Sequence, residues 1–112
     1  MLYLDKPISL NKLVHIAQNN FHYLVKAVVD VSKEVLVIDA DLHSDEEAYL
    51  ISRGSKQSDL WGINLYPELK GQDFIEFDSM INVRPNANNF SRGIDDENIR
   101  SRIISIVSRL IR

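Results

Sequence analysis

The sequence has no cysteine, and its 112 residues include only 4 glycines, 3 prolines and 1 tryptophan. Without cysteine, neither a disulfide nor a thiolate metal site can form, so packing must stabilise the fold, as suits a reducing cytosol. No apolar run approaches the ~20 residues that cross a bilayer, and the first seven residues lack the pattern of a signal peptide. We therefore expect a soluble cytoplasmic protein with no membrane partner.

Neither a large excess of charge nor a familiar catalytic motif is present. The 16 acidic and 13 basic residues give a formal net charge of −3, which disfavours nucleic acid as a partner. A glycine-rich phosphate loop, a nucleophile elbow and a Cys–His pair are all missing. The chain therefore lacks the common enzyme motifs, and it predicts no cofactor.

What the chain does contain is an ordinary globular composition, with 45% hydrophobic and 26% charged residues. A chain of 112 residues can bury one hydrophobic core but not two. We therefore expect a single domain over residues 1–112, without an internal boundary.

Local patterns predict three helices. Ser9 precedes apolar residues at helical spacing and should cap the first helix. Ser44 and Glu47 match a capping box, which predicts the start of the second helix. Asp95 should cap the last helix. The first two helices should cover about residues 9–20 and 45–53.

Four β-rich runs predict two hairpins. The first joins residues 23–30 to 34–39, and the second joins residues 60–66 to 74–84. With a short strand at Leu2–Leu4, the element order becomes βαββαββα. Because strands and helices do not alternate strictly, we expect an α+β fold with a mostly antiparallel sheet and the helices packed on one side.

The second hairpin has one apolar and one polar face. The antiparallel register that pairs Asn64 with Glu76 also places Gly62 opposite Asp78, where the glycine leaves space. Such a face could bind a small polar ligand through charged hydrogen bonds. The alternative is a solvated outer face, which antiparallel sheets usually have. The candidate ligand-binding residues of this face are Asn64, Tyr66, Glu76, Asp78, Asn82 and Arg84.

His43 is a further candidate because it lies beside the predicted second helix. His43 and Glu47 are four residues apart and could share a metal ion with Asp41 or Asp45. The capping box argues against this site, because it places His43 outside the helix and engages Glu47 with the backbone. We therefore predict no metal, and we keep His43 as a ligand-binding residue and a candidate proton-transfer group.

Residues 86–94 are rich in loop-forming residues and have no apolar periodicity. Within this loop, Arg92 could meet Arg84 and clamp an anion, or it could pair with one of the acidic residues at 95–97. A stripe of arginines on the last helix could contact RNA or an acidic partner, although such stripes are more often solvated. The stripe contains Arg102, Arg109 and Arg112.

Four segments resemble a family of short uncharacterised prokaryotic proteins, a domain of unknown function. They lie at residues 42–47, 60–67, 75–85 and 91–94, and they include L-W-G-I-N-L-Y-P and I-E-F-D-S-M-I-N-V-R-P. The resemblance covers nearly the whole chain. It implies a complete free-standing protein, and it supplies no activity, cofactor or catalytic residue.

These observations leave three functions open. The first is a small binding domain, as a monomer or a homodimer, that uses the polar face and the adjoining loop for an unknown small polar ligand. The second is a small hydrolase or lyase, with His43 or Asp78 transferring protons and Arg84 or Arg92 stabilising negative charge. The third is a regulatory module that engages another chain through a strand edge or the arginine stripe.

Overall fold

A five-stranded antiparallel sheet forms the centre of the protein. A computed structural model describes residues 1–112, and its strands and helices follow the order βαββαββα. The strands are β1 (Leu2–Leu4), β2 (Val25–Asp30), β3 (Val35–Ile38), β4 (Leu60–Leu65) and β5 (Ile75–Glu76). Their order across the sheet is β1-β3-β2-β4-β5, with every pairing antiparallel. The predicted α+β class and antiparallel sheet are confirmed.

Helices cover both faces of the sheet. They are α1 (Leu10–Gln18), α2 (His43–Ser52) and α3 (Glu97–Leu110). Helices α1 and α3 pack on the face that carries Val25 and Val29, whereas α2 packs on the opposite face, where Leu50 joins Val28 and Val37 in a smaller core. The expectation of a shared side therefore holds for α1 and α3 but not for α2, because β2 and β3 are apolar on both faces and each face needs cover. With at most 14 residues, the helices fall short of the length and hydrophobicity that a membrane-spanning helix requires.

The starts of α1 and α2 test two predicted caps. The Oγ of Ser9 accepts a hydrogen bond from the backbone amide of Lys12 at 3.0 Å, which confirms the first cap. Helix α2 instead begins at His43, with Leu42 as an N-cap residue that makes no side-chain cap bond. The predicted capping box at Ser44 is therefore wrong, since the helix starts before that serine.

Arginines fasten α3 to the rest of the fold. Its N-cap is Asp96, one residue later than predicted. Arg102 donates to the carbonyl oxygen of Val31 at 2.5 Å, and Arg109 donates to that of Glu34 at 2.7 Å. Two members of the predicted arginine stripe thus tie α3 to the turn between β2 and β3.

The second predicted hairpin is only partly formed. Strand β4 matches the expected strand, and Asn64 lies opposite Glu76 as predicted. Strand β5 ends at Glu76, however, and irregular chain with one 3₁₀ turn at Met80–Asn82 replaces the predicted strand up to Arg84. The Oγ of Ser79 accepts from the amide of Ile81 at 3.2 Å. This local bond stabilises a tight turn and so ends the extended conformation.

Asn82 takes the place of the missing strand beside β4. Its side-chain amide donates to the carbonyl oxygen of Gly62 at 2.9 Å and accepts from the amide of Gly62 at 2.8 Å. The same amide group donates to the carbonyl oxygen of Arg92 at 2.9 Å. The space at Gly62 is filled by Ser79 rather than left free beside Asp78, because a Cβ built on Gly62 would lie 2.5 Å from the Cβ of Ser79.

Ser9→Ala should lower the free energy of unfolding by about 1 kcal/mol, because it removes the acceptor for the Lys12 amide. Ser44→Ala is the matched control: Ser44 is exposed and caps nothing, so its loss should change stability by less than about 0.5 kcal/mol. Urea unfolding of both variants measures the difference. Equal losses would contradict the assigned caps.

Gly62→Ala should destabilise the protein by about 1–3 kcal/mol, because the new methyl group overlaps Ser79 and forces the turn away from β4. Gly93→Ala serves as the control, since the nearest atoms to its Cβ lie at ordinary contact distances of 3.4 and 3.5 Å. Denaturant midpoints of the two variants give the comparison. A Gly62 variant as stable as the Gly93 variant would show that the turn is not packed against β4.

Candidate functional site

A polar row crosses three strands on the sheet face that α2 covers. Lys26, Asn64 and Glu76 lie opposite one another on β2, β4 and β5. The Nδ2 of Asn64 donates to the Oε1 of Glu76 at 2.9 Å, and the hydroxyl of Tyr66 donates to the same oxygen at 3.1 Å. Burial, reinforced by Glu76, raises the pKa of Tyr66. The structure thus brings these predicted site residues together, but they bind one another.

Asp78 and Arg92 form an ion pair at the edge of this row. The Nε of Arg92 donates to the Oδ1 of Asp78 at 2.7 Å, with side chains 56% and 41% exposed. A pair this exposed contributes little to stability. Arg84 pairs separately with Glu47. The two arginines therefore do not form the anion clamp that the sequence suggested, and Arg92 does not pair with the acidic residues at 95–97.

His43 is the first residue of α2 and lies next to the polar row. Its Nε2 is 2.7 Å from the carbonyl oxygen of Ile63, so Nε2 carries the proton and Nδ1 remains an acceptor. Burial lowers the pKa of His43, and it outweighs the opposing hydrogen bond to Ile63 and the opposing charge of Asp78. The imidazole is therefore neutral at pH 7.

His43 and Glu47 do not converge on a metal site. The ring of His43 is bonded to Ile63, while Glu47 pairs with Arg84. Glu47 is thus occupied by an arginine and not by the helix backbone, as the capping box had implied. No group of three or more His, Asp or Glu side chains in residues 1–112 is arranged to hold a metal ion.

Two buried asparagines organise the loop that follows β5. The amide of Asn82, a predicted ligand-binding residue, is fully engaged with backbone groups. Asn89 donates to the carbonyl oxygens of Asn82, Ser91 and Gly93, and it accepts from the amide of Asp95 at 2.8 Å. Both side chains therefore hold the loop in shape.

Arg84 lies apart from the polar row and is only 9% exposed. Its Nη2 donates to the Oε2 of Glu47 at 3.3 Å, which is long for a hydrogen bond between opposite charges. The guanidinium carbon lies 4.8 Å from the centre of a Trp61 ring, in a cation–π contact. Burial lowers the pKa of Arg84, and the charge of Glu47 opposes that shift.

A cavity of about 440 Å³ adjoins the pair of Arg84 and Glu47. Gln57, Ser58 and residues 80, 81 and 83–87 complete its walls. Its volume falls within the ~300–1,000 Å³ that is typical of small-molecule sites. The Nε and Nη1 of Arg84 and the Nε1 of Trp61 are buried without an acceptor. Because each such donor costs about 1–3 kcal/mol, an added acceptor would have a large effect here.

Glu46 is a buried carboxyl group that the sequence analysis did not single out. Its Oε2 accepts from the amide of Ala40 at 3.1 Å, whereas its Oε1 has no partner. Burial raises the pKa of Glu46 to about 9, and Asp39 adds to the shift. The carboxyl is therefore neutral at pH 7. The only sequence signal was an acidic run at residues 45–47, which is typical of an exposed helix start.

Glu46→Gln should flatten the pH dependence of stability. The pKa of about 9 in the folded protein lies above the ordinary value of 4.5. The stabilisation that protonated Glu46 allows is therefore fully present below pH 4.5 and is lost as the pH rises towards 9. At 1.36 kcal/mol per pKa unit, wild type should lose roughly 3 kcal/mol between pH 4.5 and 7. Glutamine keeps the shape but cannot ionise.

Urea unfolding at pH 5, 7 and 9 measures this effect. Glu68→Gln, at an exposed position, is the control and should keep the wild-type profile. Parallel profiles for wild type and Glu46→Gln would show that Glu46 does not titrate in this way.

Comparison with known proteins identifies a family for the chain. No curated protein and no solved structure matches it. A family model described as a protein of unknown function (DUF5674) matches residues 2–110, nearly the whole length. Because the match extends over almost every element of the fold, the chain belongs to the DUF5674 family.

Proposed function

We propose that the protein is a small binding domain whose ligand occupies the cavity beside Arg84. The ligand is a small polar molecule that presents an anionic oxygen to the guanidinium. One observation carries the proposal: the buried Nε and Nη1 of Arg84 lack an acceptor, and Arg84 lines a cavity of about 440 Å³. An oxygen anion is the acceptor that a guanidinium binds most strongly.

Binding involves a small movement of Arg84. Its unpartnered nitrogens are buried, so the guanidinium has to turn towards the cavity to meet a ligand. The single contact to Glu47 at 3.3 Å restrains this turn only weakly. The cavity of about 440 Å³ that Arg84 lines provides the space for this turn.

Of the ligand-binding residues predicted from the sequence, the proposal keeps Arg84 as the one that contacts the ligand. Asn64, Tyr66 and Glu76 already bind one another, and Asp78 binds Arg92. These contacts lie outside the cavity, whereas the ligand itself meets Arg84 in the cavity.

A second candidate function is a small hydrolase or lyase that uses His43. The bond from Nε2 to Ile63 favours it, because it fixes the tautomer and leaves Nδ1 of a neutral imidazole as a proton acceptor. Asp78 is less suited to the role, since Arg92 holds its carboxylate. Turnover of a bound compound that disappears in His43→Gln, while binding persists, would favour the enzyme over the binding domain.

Thermal-shift screening of metabolites and nucleotides tests the binding domain. A compound at a hundred times its Kd should stabilise wild type by about 2.7 kcal/mol. Arg84→Gln should abolish the shift because it removes the charged donor, and Arg92→Gln, which changes an exposed arginine outside the cavity, should preserve it.

The measured quantity is the ligand-induced shift, so a general loss of stability in Arg84→Gln does not obscure the result. Circular dichroism checks that both variants keep the fold. A screen without any stabilising compound, or equal loss of the shift in the Arg84 and Arg92 variants, would overturn the proposal.

A further inference from the structure

The cavity beside Arg84 is electrically balanced. Glu47 and Arg84 are its only charged lining residues, one of each sign. A phosphate or a dicarboxylate would place excess negative charge beside Glu47 in a partly buried site, where unpaired charge is costly. A ligand with zero net charge avoids this cost.

The carboxylate of Glu47 can accept further hydrogen bonds. Its side chain makes one hydrogen bond, to the Nη2 of Arg84, and is 14% exposed. An ionised carboxylate offers about four lone-pair sites on its two oxygens. A cationic nitrogen in the cavity can therefore bind Glu47 at a free lone pair.

Arg84 supplies the positive charge of the cavity. The unpartnered Nε and Nη1 of Arg84 suit the two oxygens of a carboxylate. The present contact between Arg84 and Glu47 is single and 3.3 Å long. A ligand with both a carboxylate and an ammonium group would replace this one weak contact with two short charged ones.

Part of the remaining wall of the cavity is apolar, whereas Gln57, Ser58 and Asn86 are polar. The apolar part includes Met80 and Val83, whose side chains are 65% and 37% exposed. An apolar ligand side chain would cover them. We infer that the ligand is a small zwitterion of the α-amino-acid class with an apolar side chain. This inference rests on the proposed function of the cavity.

Isothermal titration of the full-length protein tests the ligand class. The probes are L-leucine, L-methionine and L-phenylalanine, with the matching acid that lacks the amino group, the matching amine that lacks the carboxylate, and inorganic phosphate. At least one amino acid should bind, and at least tenfold more tightly than either of its analogues, because each analogue leaves one charged pole unpaired.

Glu47→Gln supplies a second, independent readout. It should reduce the preference of the protein for the amino acid over the deaminated acid to less than threefold, since the partner of the ammonium group is lost. Glu68→Gln, which lies outside the cavity, should keep the wild-type preference. The ratio is measured within each variant and does not depend on its stability.

The outcomes separate this inference from the proposed function. One outcome is that a deaminated acid, phosphate or another screened compound binds at least as tightly as the amino acids do. In that case the inferred ligand class is wrong, and the cavity remains a binding site. If no probe and no screened compound binds wild type at millimolar concentration, both are overturned.

Discussion

The two hydrogen bonds between the side chain of Asn82 and the peptide of Gly62 determine the path of the chain after β4. A side-chain amide has a carbonyl acceptor and two N–H donors, so Asn82 can bond both backbone groups of Gly62 and closes the edge of β4 where no strand continues. The same amide holds the carbonyl of Arg92. These bonds fix the chain at Asn82 and at Arg92. Arg84 lies between these two residues in sequence, and its side chain reaches Glu47 on α2.

One face of the first turns of α2 carries three titratable groups in three different environments. His43 loses its charge through burial beside the backbone of Ile63, and Glu46 loses its charge through burial with only one hydrogen bond. Glu47, one residue further, faces Arg84. Environment therefore decides the protonation of His43 and Glu46. A single helix face thereby offers a neutral base, a neutral acid and a negative charge.

Much of the fold is predictable because it depends on local pattern. The strand order along the chain, the cap at Ser9 and the pairing of Asn64 with Glu76 follow from periodicity and register. The end of β5 was missed because the turn at Ser79 competes with an otherwise convincing strand pattern. Local propensity does not show which of two nearly equal conformations distant contacts will select.

The candidate site was harder to predict, since its contacts span long stretches of sequence. Arg84 was singled out, but its partner Glu47 lies 37 residues away and had been assigned to a helix cap. Glu46 escaped notice because acidic residues at a helix start are usually exposed. Its burial follows from α2 covering the second face of the sheet, which no pattern within α2 reveals.

The two outermost strands are very short: β1 has three residues and β5 has two. An unpaired strand edge is a template on which a further chain can add, and long edges promote fibrils. Edges of this length offer an incoming strand only a few backbone groups. The ends of the sheet therefore give little opportunity for extended intermolecular sheets to form.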